Sequence, residues 1–177
     1  MTHSFLIAGF GGQGVLFAGK FLVNKGMLEG KEVSWLPSYG PEMRGGTANC
    51  SVIVSDEPVG SPIVDHPDVL MVMNLPSLDK YENAVQPGGM IFVDSTLVER
   101  KVLRDDVKTF YVPATGIAAE SGLTTLANMI LTGKILKELG EFGDGVGAAL
   151  KKVVSVKHPE MYDVNLKALE LGRDYAE

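Results

Sequence analysis

Cysteine is almost missing from this chain: Cys50 is the only one in 177 residues. An internal disulfide is therefore excluded, which fits a reducing compartment such as the cytoplasm. The three histidines, His3, His66 and His158, lie far apart and form no ligand motif. Without a set of thiolates or closely spaced Cys/His pairs, the chain has no means to hold an iron–sulfur cluster or a structural zinc. Positive charge is also scarce. The formal net charge is −6, and no run of Lys or Arg is longer than the pair Lys151-Lys152. A nucleic-acid phosphate backbone needs a basic stripe, so nucleic acid is excluded as a partner. No apolar run approaches the roughly 20 residues that span a bilayer. Met1 to Ser4 lacks the basic region of a signal peptide. Neither a membrane nor an export route is expected.

Glycine is plentiful instead. The 21 glycines are scattered rather than periodic, so they mark turns and close backbone approaches. Between them the chain alternates strand and helix patterns. Phe5 to Ala8 is a short apolar run, and Val15 to Leu28 has helical apolar spacing. Glu32 to Leu36 and Ala48 to Val54 read as strands. Val69 to Met73 and Met90 to Val93 are unbroken apolar runs, as expected of strands covered on both faces. Pro76 to Val85 is predicted helical, and Thr109 to Val112 is the last predicted strand. Helices are expected over roughly Leu123 to Leu139, Asp144 to Val153 and Pro159 to Tyr175. This pattern predicts a single α/β domain over 1–177: a Rossmann-like, doubly wound, mainly parallel sheet with a helical C-terminal end. Phe5–Ala8, Val69–Met73 and Met90–Val93 should be its central strands. Ala48 to Val64 has no room for a crossover helix, so antiparallel pairing is expected there.

Two loops stand out. Gly9, Gly11 and Gly14, with Gly12 and Gln13 between them, fit the G-x-G-x-x-G pattern between a strand and a helix. Glycine there permits a tight turn and close approach of a pyrophosphate to backbone N–H groups at a helix N-terminus. The bland reading is a turn that only packs the helix on the sheet. An acidic residue about 20 residues on should hold a nicotinamide ribose, yet the second strand runs out in Ser34-Trp35-Leu36-Pro37-Ser38. Gly14 to Lys20 also matches part of an NTPase loop, but Phe21 stands where a magnesium-binding hydroxyl belongs. The second loop is Ser38-Tyr39-Gly40-Pro41-Glu42-Met43-Arg44-Gly45-Gly46. It follows a strand, at the edge where open α/β sheets bind ligands. Its bland reading is a turn with Glu42 and Arg44 in solvent. No catalytic dyad accompanies either loop, and Cys50, mid-strand, reads as a structural thiol.

Together, Gly9-Phe-Gly-Gly-Gln-Gly14, Ser38 to Gly46 and the strand closing in Val54-Ser-Asp-Glu-Pro58 resemble the gamma subunits of 2-oxoacid:ferredoxin oxidoreductases. Ala114 to Gly122 and the following helix extend the likeness along nearly the whole chain. The Tyr-Gly-Pro-Glu-x-Arg-Gly-Gly form is more like the 2-oxoglutarate and branched-chain members than the pyruvate ones. The resemblance implies a cytoplasmic, multisubunit enzyme that oxidatively decarboxylates a 2-oxoacid with coenzyme A and reduces ferredoxin. It implies alpha, beta and delta partner subunits, which would carry thiamine diphosphate and iron–sulfur clusters. This chain would then hold no tightly bound cofactor, no metal and no catalytic residue. Gly9, Gly11, Gly12, Gln13 and Gly14 are the expected coenzyme A phosphate loop. Ser38, Tyr39, Gly40, Pro41, Glu42, Arg44, Gly45 and Gly46 are expected to face coenzyme A or partner subunits. Two alternatives stay open: a free-standing NAD(P)-binding oxidoreductase, and a nucleotide-sensing regulatory or scaffold module.

Overall fold

A computed structural model describes residues 1–38 and 47–177. The strands are β1 (Thr2–Phe10), β2 (Glu32–Ser38), β3 (Thr47–Ser55), β4 (Val69–Val72), β5 (Met90–Asp94) and β6 (Lys108–Val112). The helices are α1 (Val15–Leu28), α2 (Leu75–Tyr81), α3 (Ala114–Glu120), α4 (Ala127–Glu138), α5 (Gly145–Val153) and α6 (Glu160–Asp174). A 3₁₀ turn, Glu82–Ala84, extends α2.

The six strands form one sheet in the order β2-β3-β1-β4-β5-β6. β1, β4, β5 and β6 pair in parallel. β3 runs the other way, antiparallel to both β1 and β2. The expected central strands are central: β1, β4 and β5 each have a strand on both sides. All of β4 is buried, because helices cover it from either face. The antiparallel insertion follows from the short link between β2 and β3, which leaves no length for a crossover helix.

The larger core lies under α1, α4, α5 and α6, where Phe5, Ile7, Met71 and Phe92 meet Phe21, Met129, Ile130 and Leu150. Burying Phe21 alone stabilises the fold by about 1.5–3 kcal/mol. The opposite face is thinner. Leu6, Leu70, Val72, Ile91 and Val93 pack there with Leu78 of α2, Val85 and Val98. The β5–β6 crossover contains no helix, and an ion-pair network fastens it instead. Arg100 donates to Asp79 and to the buried Glu82, while Arg104 donates to the carbonyls of Glu82 and Val85.

Two expectations need correction. The helix expected from Leu123 begins only at Ala127, after a turn in which Leu126 N–H donates to Leu123 O. The one expected over Pro76 to Val85 is α-helical only from Leu75 to Tyr81. α3 carried no visible pattern in the sequence, being a seven-residue helix too short to display a period.

Candidate functional site at the C-terminal edge of the sheet

β1 and β4 lie side by side, yet α1 covers one face of the sheet and α2 the other. The crevice between the ends of these strands is therefore the switch point at which open α/β sheets bind ligands. The glycine loop forms one wall. Gly12 (φ 91°) and Gly14 (φ 75°) both occupy the left-handed region, which side chains strongly disfavour. Gly14 is also the N-cap of α1, and a Cβ there would overlap the Asn128 side chain.

Gln13 is used internally. Its Oε1 accepts from Phe10 N–H at 2.6 Å, and its Nε2 donates to Met73 O at 3.1 Å. Its own backbone N–H donates to Phe10 O at 3.2 Å. An uninterrupted row of outward N–H groups from Gly11 to Gly14 is thus not formed. Gln13 shapes the loop and ties the end of β1 to the residue after β4, and Gly9 is buried beneath it.

The opposite wall comes from residues with no motif. A cleft of about 220 Å³ is bounded by Gly12, Gln13, Met73, Thr115, Thr124 and Thr125. At the end of β5 the fully buried Asp94 accepts from Thr115 Oγ1 at 2.6 Å and from Thr96 N–H at 3.2 Å. This carboxylate fixes the start of α3 beside the cleft. Asn128, in the first turn of α4, donates from Nδ2 to Gly14 O at 2.9 Å, which joins the N-terminal ends of α1 and α4. Asp94, Thr115 and Asn128 escaped the sequence reading because each lies far along the chain from the glycines.

The Tyr39–Gly46 loop, with Tyr39, Gly40, Pro41, Glu42, Arg44, Gly45 and Gly46, lies outside the described residues. Its two stalks are placed. Ser38 ends β2 opposite Asn49, and Thr47 opens β3 opposite Phe10. Both stalks leave the sheet at the edge that carries the glycine loop, and the β3 stalk is beside it.

Cys50 takes no part in this site. It is fully buried, donates to Val15 O at 3.5 Å, and its thiol is pushed up to about 12 by burial. Lys20 lies over the Trp35 ring, 5.2 Å from its centroid, and Val15 to Leu28 is helical, so no NTPase loop exists here. Among the described residues no group of three or more His, Cys, Asp or Glu could hold a metal ion. Among them, too, no helix is long and apolar enough to cross a membrane.

Comparison with known proteins identifies the setting of this edge. The family model for pyruvate ferredoxin/flavodoxin oxidoreductase matches residues 4–175. The chain belongs to that family. It is 42% identical over 173 residues to the ketoisovalerate oxidoreductase subunit VorA of Methanothermobacter marburgensis, covering 96% of this chain but 36% of the relative. The chain thus spans about a third of the length of that protein. The 2-oxoglutarate synthase subunit KorC of the same organism is 34% identical, with 98% of this chain and 96% of the relative covered. Among solved structures, the gamma subunit of a keto/oxoacid ferredoxin oxidoreductase from Geobacter sulfurreducens superimposes with a TM-score of 0.84 at 26% identity. That match covers 98% of this chain and 95% of the other. A 2-oxoglutarate:ferredoxin oxidoreductase from Magnetococcus marinus, solved with 2-oxoglutarate, coenzyme A and succinyl-CoA bound, shares the fold at TM-score 0.87 and 22% identity. The match covers 97% of this chain and 30% of that one. The family resemblance read from the two loops is therefore borne out, as is its lean toward 2-oxoglutarate and branched-chain members.

Proposed function

We propose that the chain is the gamma subunit of a thiamine-diphosphate-dependent 2-oxoacid:ferredoxin oxidoreductase acting on a branched-chain 2-oxoacid or 2-oxoglutarate. The reaction turns a 2-oxoacid, coenzyme A and oxidised ferredoxin into an acyl-CoA, carbon dioxide and reduced ferredoxin. The observation that carries this reading is the end-to-end match to a subunit of the same length, KorC. Residues 1–177 act as one domain, in the cytoplasm, beside alpha, beta and delta subunits that bring thiamine diphosphate and the clusters. The donor set agrees: one buried thiol and three scattered histidines cannot ligate an iron–sulfur cluster.

Within the assembly this chain handles coenzyme A. Gly11, Gly12 and Gly14 lie at the N-terminus of a 14-residue helix, where backbone N–H groups and the helix dipole favour a phosphate. Gln13 and Gly9 hold the loop in shape. Tyr39, Glu42 and Arg44 order the mouth or meet the partner subunits, with Arg44 the group suited to grip a phosphate or carboxylate. The fold weighs against a nicotinamide enzyme. The strand beside β1 on the ribose side is the reversed β3, which brings Thr47 rather than an acid to the edge.

The test has two stages. Isolation from the native cell should bring alpha and beta subunits down with the chain, whereas a solitary NAD(P)H-linked dehydrogenase would overturn the reading. Gly12→Asp, assembled with wild-type partners, should raise the KM for coenzyme A about tenfold or more, since a carboxylate would occupy the phosphate's place. An unchanged KM in a fully assembled complex would remove the coenzyme role. Arg44→Ala, if it blocks assembly while the free chain stays folded, assigns the second loop to docking.

A further inference from the structure

α5 ends at Val153 and α6 begins at Glu160. The turn between them carries Val156, which at 97% exposure is the most exposed large hydrophobic among the described residues. Hydrogen bonds hold the turn in shape. Lys157 N–H donates to Ser155 Oγ at 3.2 Å, and His158 N–H donates to Ser155 O at 3.0 Å. Turn positions ordinarily go to Gly, Asn, Asp, Ser or Pro, and a β-branched hydrophobe serves none of the turn's own needs. Such a local inconsistency is expected where a residue serves something outside the fold.

Two clefts flank this turn and adjoin at Val154 and Ser155, which line both. The first, of about 310 Å³, runs from Met161 and Asn165 of α6 to Leu126 and Asn128 at the start of α4 and to Phe17 of α1. The second, of about 360 Å³, is bounded by Lys151, Val154, Val156, Pro159 and Tyr162. The exposed Val156 therefore stands at the lip of a trough with a largely apolar floor. Exposed apolar surface rimmed by polar groups marks an interaction site.

The charge around the trough narrows the partner. The chain carries 22 Asp and Glu, yet none occurs from Gly145 to Pro159, a stretch that holds Lys151, Lys152, Lys157 and His158. All three lysines are exposed. Lys151 Nζ lies 5.6 Å from the centroid of the Tyr162 ring, on the wall of the second cleft. Among the described residues no carboxylate lines either cleft, and Glu160, the next along the chain, meets His158 at 3.1 Å. In a molecule of net charge −6 this is a local positive field over an apolar floor. It complements carboxylates and repels a basic partner. An anionic membrane fits less well: the net charge opposes it, and a lone valine lacks the Trp, Phe and Leu bulk that anchors a segment in lipid. We infer that the α5–α6 turn and its two clefts form a docking groove for a partner-protein segment that carries apolar side chains flanked by Asp or Glu. The apolar side chains enter the clefts on either side of Val156, and the carboxylates meet Lys151, Lys152 and Lys157 at the rim. The groove does not rest on the subunit assignment above, since the chemistry of the segment defines its occupant.

The experiment uses Val156→Cys in the full chain, coupled to a benzophenone maleimide. Cys50, the only native cysteine, is fully buried and leaves the new thiol to react. Irradiation in an extract of the native cell, followed by sequencing of the crosslinked peptide, should give a segment with apolar residues flanked by Asp or Glu. Gly60→Cys, exposed on the β3–β4 loop, supplies the background. A synthetic peptide of the captured segment should then bind the wild-type chain, more weakly as salt rises. Its affinity should fall about tenfold in Val156→Asp, and by the same factor in the double variant Lys151→Glu with Lys157→Glu. All three positions are exposed, so each variant should melt with the wild type. No capture above the Gly60→Cys background overturns the proposal. So does a captured segment without that pattern, or a peptide that binds the charge-reversed variant as tightly as the wild type. Capture confined to this chain, inside one copy or between two, also overturns it. Binding of the wild-type chain to vesicles of phosphatidylcholine and phosphatidylglycerol, abolished by Val156→Asp, would instead assign the turn to a membrane surface and remove the groove. The gamma-subunit reading is decided separately, by the subunits that co-purify.

Discussion

His3 sits between two carboxylates at the edge of the sheet opposite the glycine loop. Its Nδ1 is 3.2 Å from Asp68 Oδ2 and its Nε2 is 3.5 Å from Glu141 Oε1. The Asp68 hydrogen bond raises the His3 pKa above 6.5, against the opposing effect of burial. Asp68 is held below 3.8, although burial works the other way, by hydrogen bonds from His3 and Ser4. The raised histidine contributes stability that is fully present below its unfolded value and is lost as pH rises through its folded one. The lowered aspartate contributes above its unfolded value and loses that contribution as pH falls through its folded one. The pair therefore stabilises most between these two ordinary values, 3.8 and 6.5. His3→Gln should lower the urea midpoint by the equivalent of about 1 kcal/mol near pH 5, because solvent screens a partly exposed pair. The deficit should shrink toward pH 8; a gap constant across that range would assign His3 a packing role only.

At the scale of elements, the contact between α4 and α6 sets the shape of the back of the site. A Cβ on Gly133 would overlap the Leu169 carbonyl, and one on Gly172 would overlap the Ile130 carbonyl. The two backbones meet directly, and the turns carrying Asn128 and Asn165 belong to the same helix pair. Gly172→Ala must push two helix backbones apart, which overpacking studies place at about 1–3 kcal/mol, at the upper end because a backbone cannot rotate away. Gly60 is the control: among the described residues, no atom lies within 4 Å of where its Cβ would stand, and Gly60→Ala should leave the melting temperature unchanged. Thermal unfolding of both variants checks this. Neither helix-crossing glycine was recognisable in the sequence, since a glycine inside a helical pattern looks the same whether it faces solvent or another backbone. β1, β4 and β5 were recognisable, because unbroken apolar runs have one stable place, the middle of a sheet covered on both faces.

At the scale of the whole molecule, the chain combines a formal net charge of −6 with a glycine-lined sheet edge, which the proposed function assigns to a larger assembly. Its single cysteine, Cys50, is buried with a thiol pushed up to about 12, so it offers neither a cluster ligand nor a nucleophile. The purified chain is accordingly expected to be colourless above the aromatic band and to show no turnover of a 2-oxoacid or of NADH without partners. A visible chromophore, or NADH oxidation by the chain alone, would contradict the subunit reading.

The sequence by itself determined the class of fold, the central strands and the family. These depend on local quantities: apolar runs, a glycine pattern between strand and helix, and two loops in a given order. It also limited the metal chemistry, since ligands that are not in the chain cannot be assembled by folding. The tertiary structure alone decided which residues face the glycine loop. Asp94, Thr115 and Asn128 reach the same edge from β5, α3 and α4, and no local signal connects them to Gly14. It also decided what Gln13 does. A side-chain amide beside a phosphate-type loop can point outward or fold back, and the carbonyl of Met73, 60 residues away and 3.1 Å from Nε2, turns it inward.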